Sequence, residues 1–266
     1  EAYVAARCEP ADFARWREER QRTLQAPDSW LGLIGFFWLE EGSNCVGTDS
    51  ASVVRLPQGP AVFGELRCQA GHVTWQPTDG FALALRTDAE GDPDVVSLGA
   101  LSFSVIERGG QLAVRLRDRD WASRKPFAGV DCLPFAAGWQ ITANWQPLTP
   151  PREIDVPNVT GDLKKVTVEW QAVFRVGENE AALLPMSVSE TGVFFVFRDA
   201  SSGKSSYGAG RFLHAEHPVD GYIRLDFNRA INPPCAFTPF ATCPLPPPEN
   251  WLPFPVAAGE LKYADH

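Results

Sequence analysis

Arg211, Asp226, Asn228, Arg229, Asn232, Cys235 and Cys243 stand within residues 207–250, in a run rich in aromatic residues, Pro and Gly. Polar groups set so densely among apolar ones are either satisfied inside the fold or face a ligand. Arg211 and Arg229 carry forked donors that suit a carboxylate or phosphate, and Arg211 follows Gly208 and Gly210, where a backbone can approach closely. Asp226 is a candidate acceptor or general base. Cys235 is a candidate nucleophile, which needs a base and a lowered pKa; His214 and His217 are the nearest histidines in sequence. Asn228 and Asn232 complete the candidate ligand-binding set.

Each of these residues also has a purely structural reading. Arg211 and Asp226 can form a buried bridge with each other. Asp226, Asn232 and Asn250 can satisfy the backbone of a long irregular segment. Cys235 and Cys243 read as two small buried hydrophobes, or as a disulfide in an oxidising compartment. His214, His217, Cys235 and Cys243 have acceptable zinc-ligand types but no familiar structural-zinc spacing, so neither a metal nor a cofactor is expected. The chain has no phosphate-cradling Gly loop, dinucleotide fingerprint, GxSxG elbow or HExxH.

The elements that must position these groups follow from periodicity. Residues 222–228 alternate by the strand period, which turns Ile223, Leu225 and Phe227 one way and Tyr222, Arg224, Asp226 and Asn228 the other. After them come Pro233, Pro234, Pro239, Pro244 and Pro246 to Pro248. Such a segment is an extended, stiff loop that loses less entropy on folding than a flexible one.

Upstream, Asp12 caps an amphipathic helix carrying Phe13, Trp16 and Leu24, which ends before Pro27, and Asp28 or Ser29 caps a further short turn. From Phe36 the pattern becomes short strands; residues 101–106 and 112–116 form a hairpin across Gly109-Gly110. Residues 139–145 alternate before Pro147, Pro150, Pro151 and Pro157 interrupt, which marks a candidate boundary. Residues 165–175 pair with 181–188, and 193–198 with 205–213, the apolar run 193–197 lying at a sheet centre. The expected fold is mainly β, an N-terminal helix followed by β-sandwich or barrel-like antiparallel sheets, in one compact domain or two packed units. The expected divisions are a helical clasp over 1–30, a β unit over 31–146 and a second over 147–266.

Bulk properties narrow the partners. With 24 Lys and Arg against 33 Asp and Glu, the charge of -9 argues against nucleic acid or an anionic membrane surface. The apolar run 30–39 is too short to span a bilayer and is broken by Gly32 and Gly35. Six Cys at 8, 45, 68, 132, 235 and 243 show no tight pairing pattern, which favours reduced thiols in a cytoplasm. The chain starts at Glu1, and a removed export signal is compatible with that.

The stretches GRFL, LDFNRAINPPCAFTPFATCPLPPPEN and AGE resemble the signature of a bacterial family catalogued as domain of unknown function 1684. WLGLIGFFWLEEGSNCVG and RDRDWASRKPFAGVDCLPF extend the resemblance over most of the chain. It implies no activity. It does bring in Arg117 and Asp118 as further ligand contacts, against the plainer reading of a solvated charged loop. Residues 41–66 bear a slighter resemblance to a forkhead-associated β-sandwich, but Thr48 stands where those phosphothreonine readers place an Arg after the Gly. That likeness implies a fold and no phosphopeptide site.

Two functions follow as expectations. The first is a small-molecule pocket lined by the signature, with Arg211 and Arg229 on an anionic group and Asp226 as acceptor or base, in a binding protein or a hydrolase-type enzyme. The second is a non-enzymatic interaction or structural module, engaging a protein or a twin subunit, whose signature residues are a rigid core. Whether the chain is an enzyme is left open at this point.

Overall fold

The computed structural model describes residues 9–263, and its chain divides into two compact units. One is Gln25–Phe127; the other combines the described residues up to Leu24 with those from Ala128 onward. Cys8 lies outside the described residues.

Gln25–Phe127 opens with a single helical turn, Trp30–Gly32, capped by the Ser29 hydroxyl, which accepts from the Leu31 amide at 3.1 Å. Nine strands follow: β1 (Leu33–Trp38), β2 (Gly42–Gly47), β3 (Val54–Arg55), β4 (Gly64–Gln69), β5 (His72–Pro77), β6 (Leu83–Leu85), β7 (Val96–Leu98), β8 (Leu101–Arg108) and β9 (Gln111–Asp118). They form one sheet in the order β1-β9-β8-β7 and another in the order β3-β2-β4-β5-β6, antiparallel except for β2 with β3. Alternation along β4 buries Leu66 and Cys68 and exposes Arg67 and Gln69. Leu66 and Trp75 of one sheet share a core with Phe103, Val105 and Leu116 of the other, so this unit is a sandwich.

The second unit holds α1 (Ala11–Gln25), whose last residue passes into the first unit, and seven strands. These are β10 (Gln140–Pro157), β11 (Leu163–Val176), β12 (Asn179–Leu183), β13 (Ser187–Ser189), β14 (Gly192–Phe197), β15 (Arg211–Ala215) and β16 (Tyr222–Asp226). One sheet runs β12-β11-β10-β16 and the other β13-β14-β15, all antiparallel. Their shared core takes Ala143, Trp145 and Phe174 from the first sheet and Phe195, Phe197 and Leu213 from the second, with Leu252, Phe254 and Val256 from the C-terminal segment. The apolar run of β14 lies at the centre of its sheet.

The fold is therefore mainly β behind an N-terminal helix, and among the described residues no sheet closes into a barrel. No helix among them is long and apolar enough to cross a membrane. The units divide at 24/25 and 127/128, whereas the prolines after Trp145 suggested a division at 146/147. β10 runs through that point as one strand. Its pairing with β16 covers only Gln140 to Asn144, and its register with β11 shifts between Pro147 and Arg152. Prolines there remove no ladder bond, so the strand tolerates them.

Gly210 shows how closely this unit is packed. It has φ +95, and a Cβ on it would strike the Phe197 carbonyl oxygen and the Pro246 ring. Gly203 also has positive φ, +82, but open space around it. Gly203→Ala is expected to cost about 1 kcal/mol from the left-handed backbone alone, and Gly210→Ala more than about 2 kcal/mol. Equal denaturation midpoints for the two variants would contradict this account.

Candidate functional site

The alternation along β16 stops at Asp226. Ile223 and Leu225 are buried, and Phe227 continues the buried side but already lies in a helical turn, Phe227–Arg229. The Asp226 carboxylate caps that turn, accepting from the Asn228 amide at 3.2 Å and its side-chain Nδ2 at 3.0 Å. Gln140 Nε2 donates to the other carboxylate oxygen at 3.0 Å, and Arg229 Nε lies 3.5 Å from it. Asn228 is buried, and its side chain also receives the Ala136 amide at 2.9 Å and donates to the Ala136 carbonyl at 3.0 Å. Arg229 reaches α1, where Nη2 pairs with Asp12 at 2.9 Å and the guanidinium stacks over Trp16.

Arg211 belongs to a different cluster. Its side chain is 1% exposed and its partner, Asp199, 0% exposed, at 2.9 Å. The guanidinium also donates to the carbonyls of Val256 at 3.0 Å, of Glu260 at 3.4 Å and of Ala258, and lies over the Phe197 ring. Asp199 in turn receives the amides of Ser201 and Val256 at 2.7 and 3.3 Å. The Arg211 partner is thus Asp199 and not Asp226, and its Nη donors are occupied. Arg211 Nε is buried without a hydrogen-bond partner.

Asn232 sits in a third cluster. Its amide donates to Glu260 Oε2 at 2.7 Å, its Nδ2 to the Leu261 carbonyl at 2.8 Å, and its own carbonyl receives Arg20 Nη2 at 3.2 Å. Arg20 Nε closes the set onto Glu260 at 2.7 Å. Asn232 Oδ1 is buried with no hydrogen-bond partner.

The Pro-rich loop contributes the fourth cluster. Pro233 leads into the turn Pro234–Ala236, which places Cys235 part-buried and sends the chain back so that the Cys235 amide donates to Cys243 Sγ at 3.3 Å. The Tyr207 hydroxyl donates to the Cys235 carbonyl at 3.2 Å. The Cys243 thiol, with help from Tyr207, pulls the Cys235 pKa down to about 7 against the opposing effect of burial. Burial and the adjacent Cys235 push the Tyr207 hydroxyl up, so it stays a donor. Cys235 and Cys243 are not joined in a disulfide. At the end of the loop Asn250, fully buried, bridges the Leu184 amide and carbonyl and the Val196 carbonyl at 2.8 to 2.9 Å.

Arg117 and Asp118 lie in the other unit. Arg117 donates to the carbonyls of Asp28 and Ser29, both at 3.0 Å, and stacks on Trp30. Asp118 is buried, accepts from the Asp120 amide at 2.9 Å and pairs with Arg124. His214 stacks on Phe194, and His217 bonds the Glu190 carbonyl at 2.9 Å. Among the described residues no three His, Cys, Asp or Glu side chains group to hold a metal ion. Sequence reasoning missed Asp199, Glu260 and Arg20 as the partners of these groups. The AGE motif was the one visible pointer, to Glu260.

The family described as Protein of unknown function (DUF1684) matches residues 125–261, slightly more than half of the chain. That span holds the whole signature and begins inside the 117–135 stretch, downstream of residues 30–47. No curated protein matches the chain. Among solved structures, the solution NMR structure of an uncharacterized protein of Haloarcula marismortui is 29% identical, covers 54% of this chain and 81% of its own, and has a TM-score of 0.43.

Two outcomes follow. Arg211→Met leaves Asp199 charged and unpaired in the core and is expected to cost about 3–5 kcal/mol, part of which the double variant Arg211→Met/Asp199→Leu regains. Denaturant titration of both variants checks it, and a loss under 1 kcal/mol would rule out the structural role. For Cys235 the folded pKa lies below its ordinary value of 9.0. Its contribution to stability is therefore present above pH 9 and lost as pH falls through about 7. Alkylation of Cys235 by iodoacetamide is expected to rise with a midpoint near pH 7, and a midpoint near pH 9 would contradict the hydrogen-bonded thiolate.

Proposed function

We propose that this chain, which belongs to the family Protein of unknown function (DUF1684), is a non-enzymatic β module whose signature frames the fold instead of lining an active site. The observation that carries this reading is Arg211. A guanidinium 1% exposed, neutralised by Asp199 and with its Nη donors on three backbone carbonyls, keeps only a buried Nε unpaired and so offers no accessible face to an anionic ligand. Asp226, Asn228 and Asn232 support it, because each is engaged by neighbouring backbone or side chains as a cap or bridge. In this reading a protein or a second copy of the chain is the partner.

One observation favours a second reading, a small-molecule site. A depression of about 390 Å³ between α1 and residues 130–132 is lined by Arg17, Glu18, Gln21, Val130, Asp131 and Cys132. That volume falls at the lower end for ligand pockets. Its mixed charge suits a zwitterionic ligand better than the purely anionic one expected for Arg211 and Arg229. Burial, reinforced by Glu260, pushes the Cys132 thiol up to about 11, so it would meet the ligand as a neutral group.

A thermal-shift screen with phosphate, carboxylate and amino-acid ligands separates the readings, using wild type, Arg229→Gln and Arg17→Gln. The module reading expects no ligand to raise the wild-type midpoint. Arg229→Gln is expected to cost no more than about 1 kcal/mol, as a part-exposed pair. A ligand-dependent rise abolished by Arg229→Gln would restore the signature pocket, and one abolished by Arg17→Gln would establish the depression.

A further inference from the structure

The structure points to a two-electron thiol centre that the module reading does not require: we infer that Cys235 and Cys243 react with a hydroperoxide and close to a disulfide. Three geometric facts carry this. Cys235 donates its amide to Cys243 Sγ at 3.3 Å, so the turn Pro234–Ala236 has already brought the Cys243 sulfur against Cys235. The two are unequally exposed, Cys235 part-buried and Cys243 buried, so a small reagent reaches one sulfur while the other waits behind it. The Tyr207 hydroxyl donates to the Cys235 carbonyl at 3.2 Å, which pins the turn that carries the thiol.

The Cys235 thiolate attacks the distal oxygen of ROOH; an S–O bond forms, the O–O bond breaks, and the departing RO⁻ takes a proton from water to leave as ROH. This converts Cys235 to a sulfenic acid. The Cys243 sulfur then attacks the Cys235 sulfur; the S–S bond forms, the S–O bond breaks, and hydroxide leaves with the Cys243 proton as water. Two electrons pass from the dithiol to the peroxide. A low-molecular-weight dithiol reductant resets the pair by exchange. The lowered Cys235 pKa supplies thiolate at neutral pH, whereas burial raises the pKa values of Cys68 and Cys132. The loop is stiffened by Pro233, Pro234, Pro239 and Pro244, which keeps the sulfurs in register between turnovers.

The test uses the full chain, reduced, freed of reductant and treated with one equivalent of hydrogen peroxide at pH 7. Peptide mapping is expected to find a Cys235–Cys243 crosslink and a mass loss of two hydrogens, with Cys235 oxidised at least about tenfold faster than Cys132. Cys243→Ser is expected to stop at a sulfenic acid on Cys235, trapped by dimedone, and Cys235→Ser to leave Cys243 reduced. Wild-type mapping decides even if a variant fails to fold. Crosslinks scattered among other cysteines, or Cys235 oxidised no faster than Cys132, would overturn the inference. Because this chemistry does not depend on the module reading, its failure would leave the outcome of the ligand screen unchanged.

Discussion

The Arg211 guanidinium is the interaction on which the second unit depends. It gathers the alternate carbonyls of Val256, Ala258 and Glu260, so a C-terminal segment with no strand of its own still has its backbone satisfied in the core. A charge so buried is tolerable only with a counter-ion and well-placed acceptors. Asp199 provides the first and is itself fixed by the amides of Ser201 and Val256. Gly210 is constrained by the same packing, since any side chain there would push β15 away from β14 just where Arg211 enters.

Around that hub the signature works as a set of local braces. Asp226 and Asn228 end β16 and receive residue 136, Asn250 ties the end of β12 to β14, and Glu260 joins Arg20 of α1 to the Asn232 backbone. Polar side chains carry this burden because so much of the segment is Pro, which has no amide to enter a ladder. The thiols stand apart from the braces. Their contacts leave Cys235 partly open to solvent, unlike the sealed surroundings of Arg211.

What could be read from sequence was what is local. The period of two in β16 placed Ile223 and Leu225 inward, and Asp226 and Asn228 do meet, although through a cap beyond the strand end and not along one strand face. The uniform apolar run of β14 marked a sheet centre, and of the two caps read for the Trp30 turn, Asp28 or Ser29, the structure uses Ser29. What stayed hidden was long-range choice of partner. Arg211 selects Asp199 over Asp226, and Arg20 selects Glu260 across 240 positions, because only the packed sheets decide which carboxylate comes within reach. Prolines misled at residue 147 for a related reason. Their meaning depends on whether the strand edge beside them is paired, and β16 leaves that edge unpaired.

The brace between Arg20 and Glu260 also sets a timetable. Gln21 exchanges two hydrogen bonds with Val130, so the chain leaves the second unit after Leu24 and returns to it close by. Residues 25–127 are thus a compact insertion in the sequence of the second unit. Arg20 of α1 must wait for Glu260, which is translated 240 residues later. During that interval its apolar side, with Phe13 and Leu24, has no completed core to cover it. For this unit, α1 is made before the insertion and gains its Glu260 partner only after the insertion has followed it.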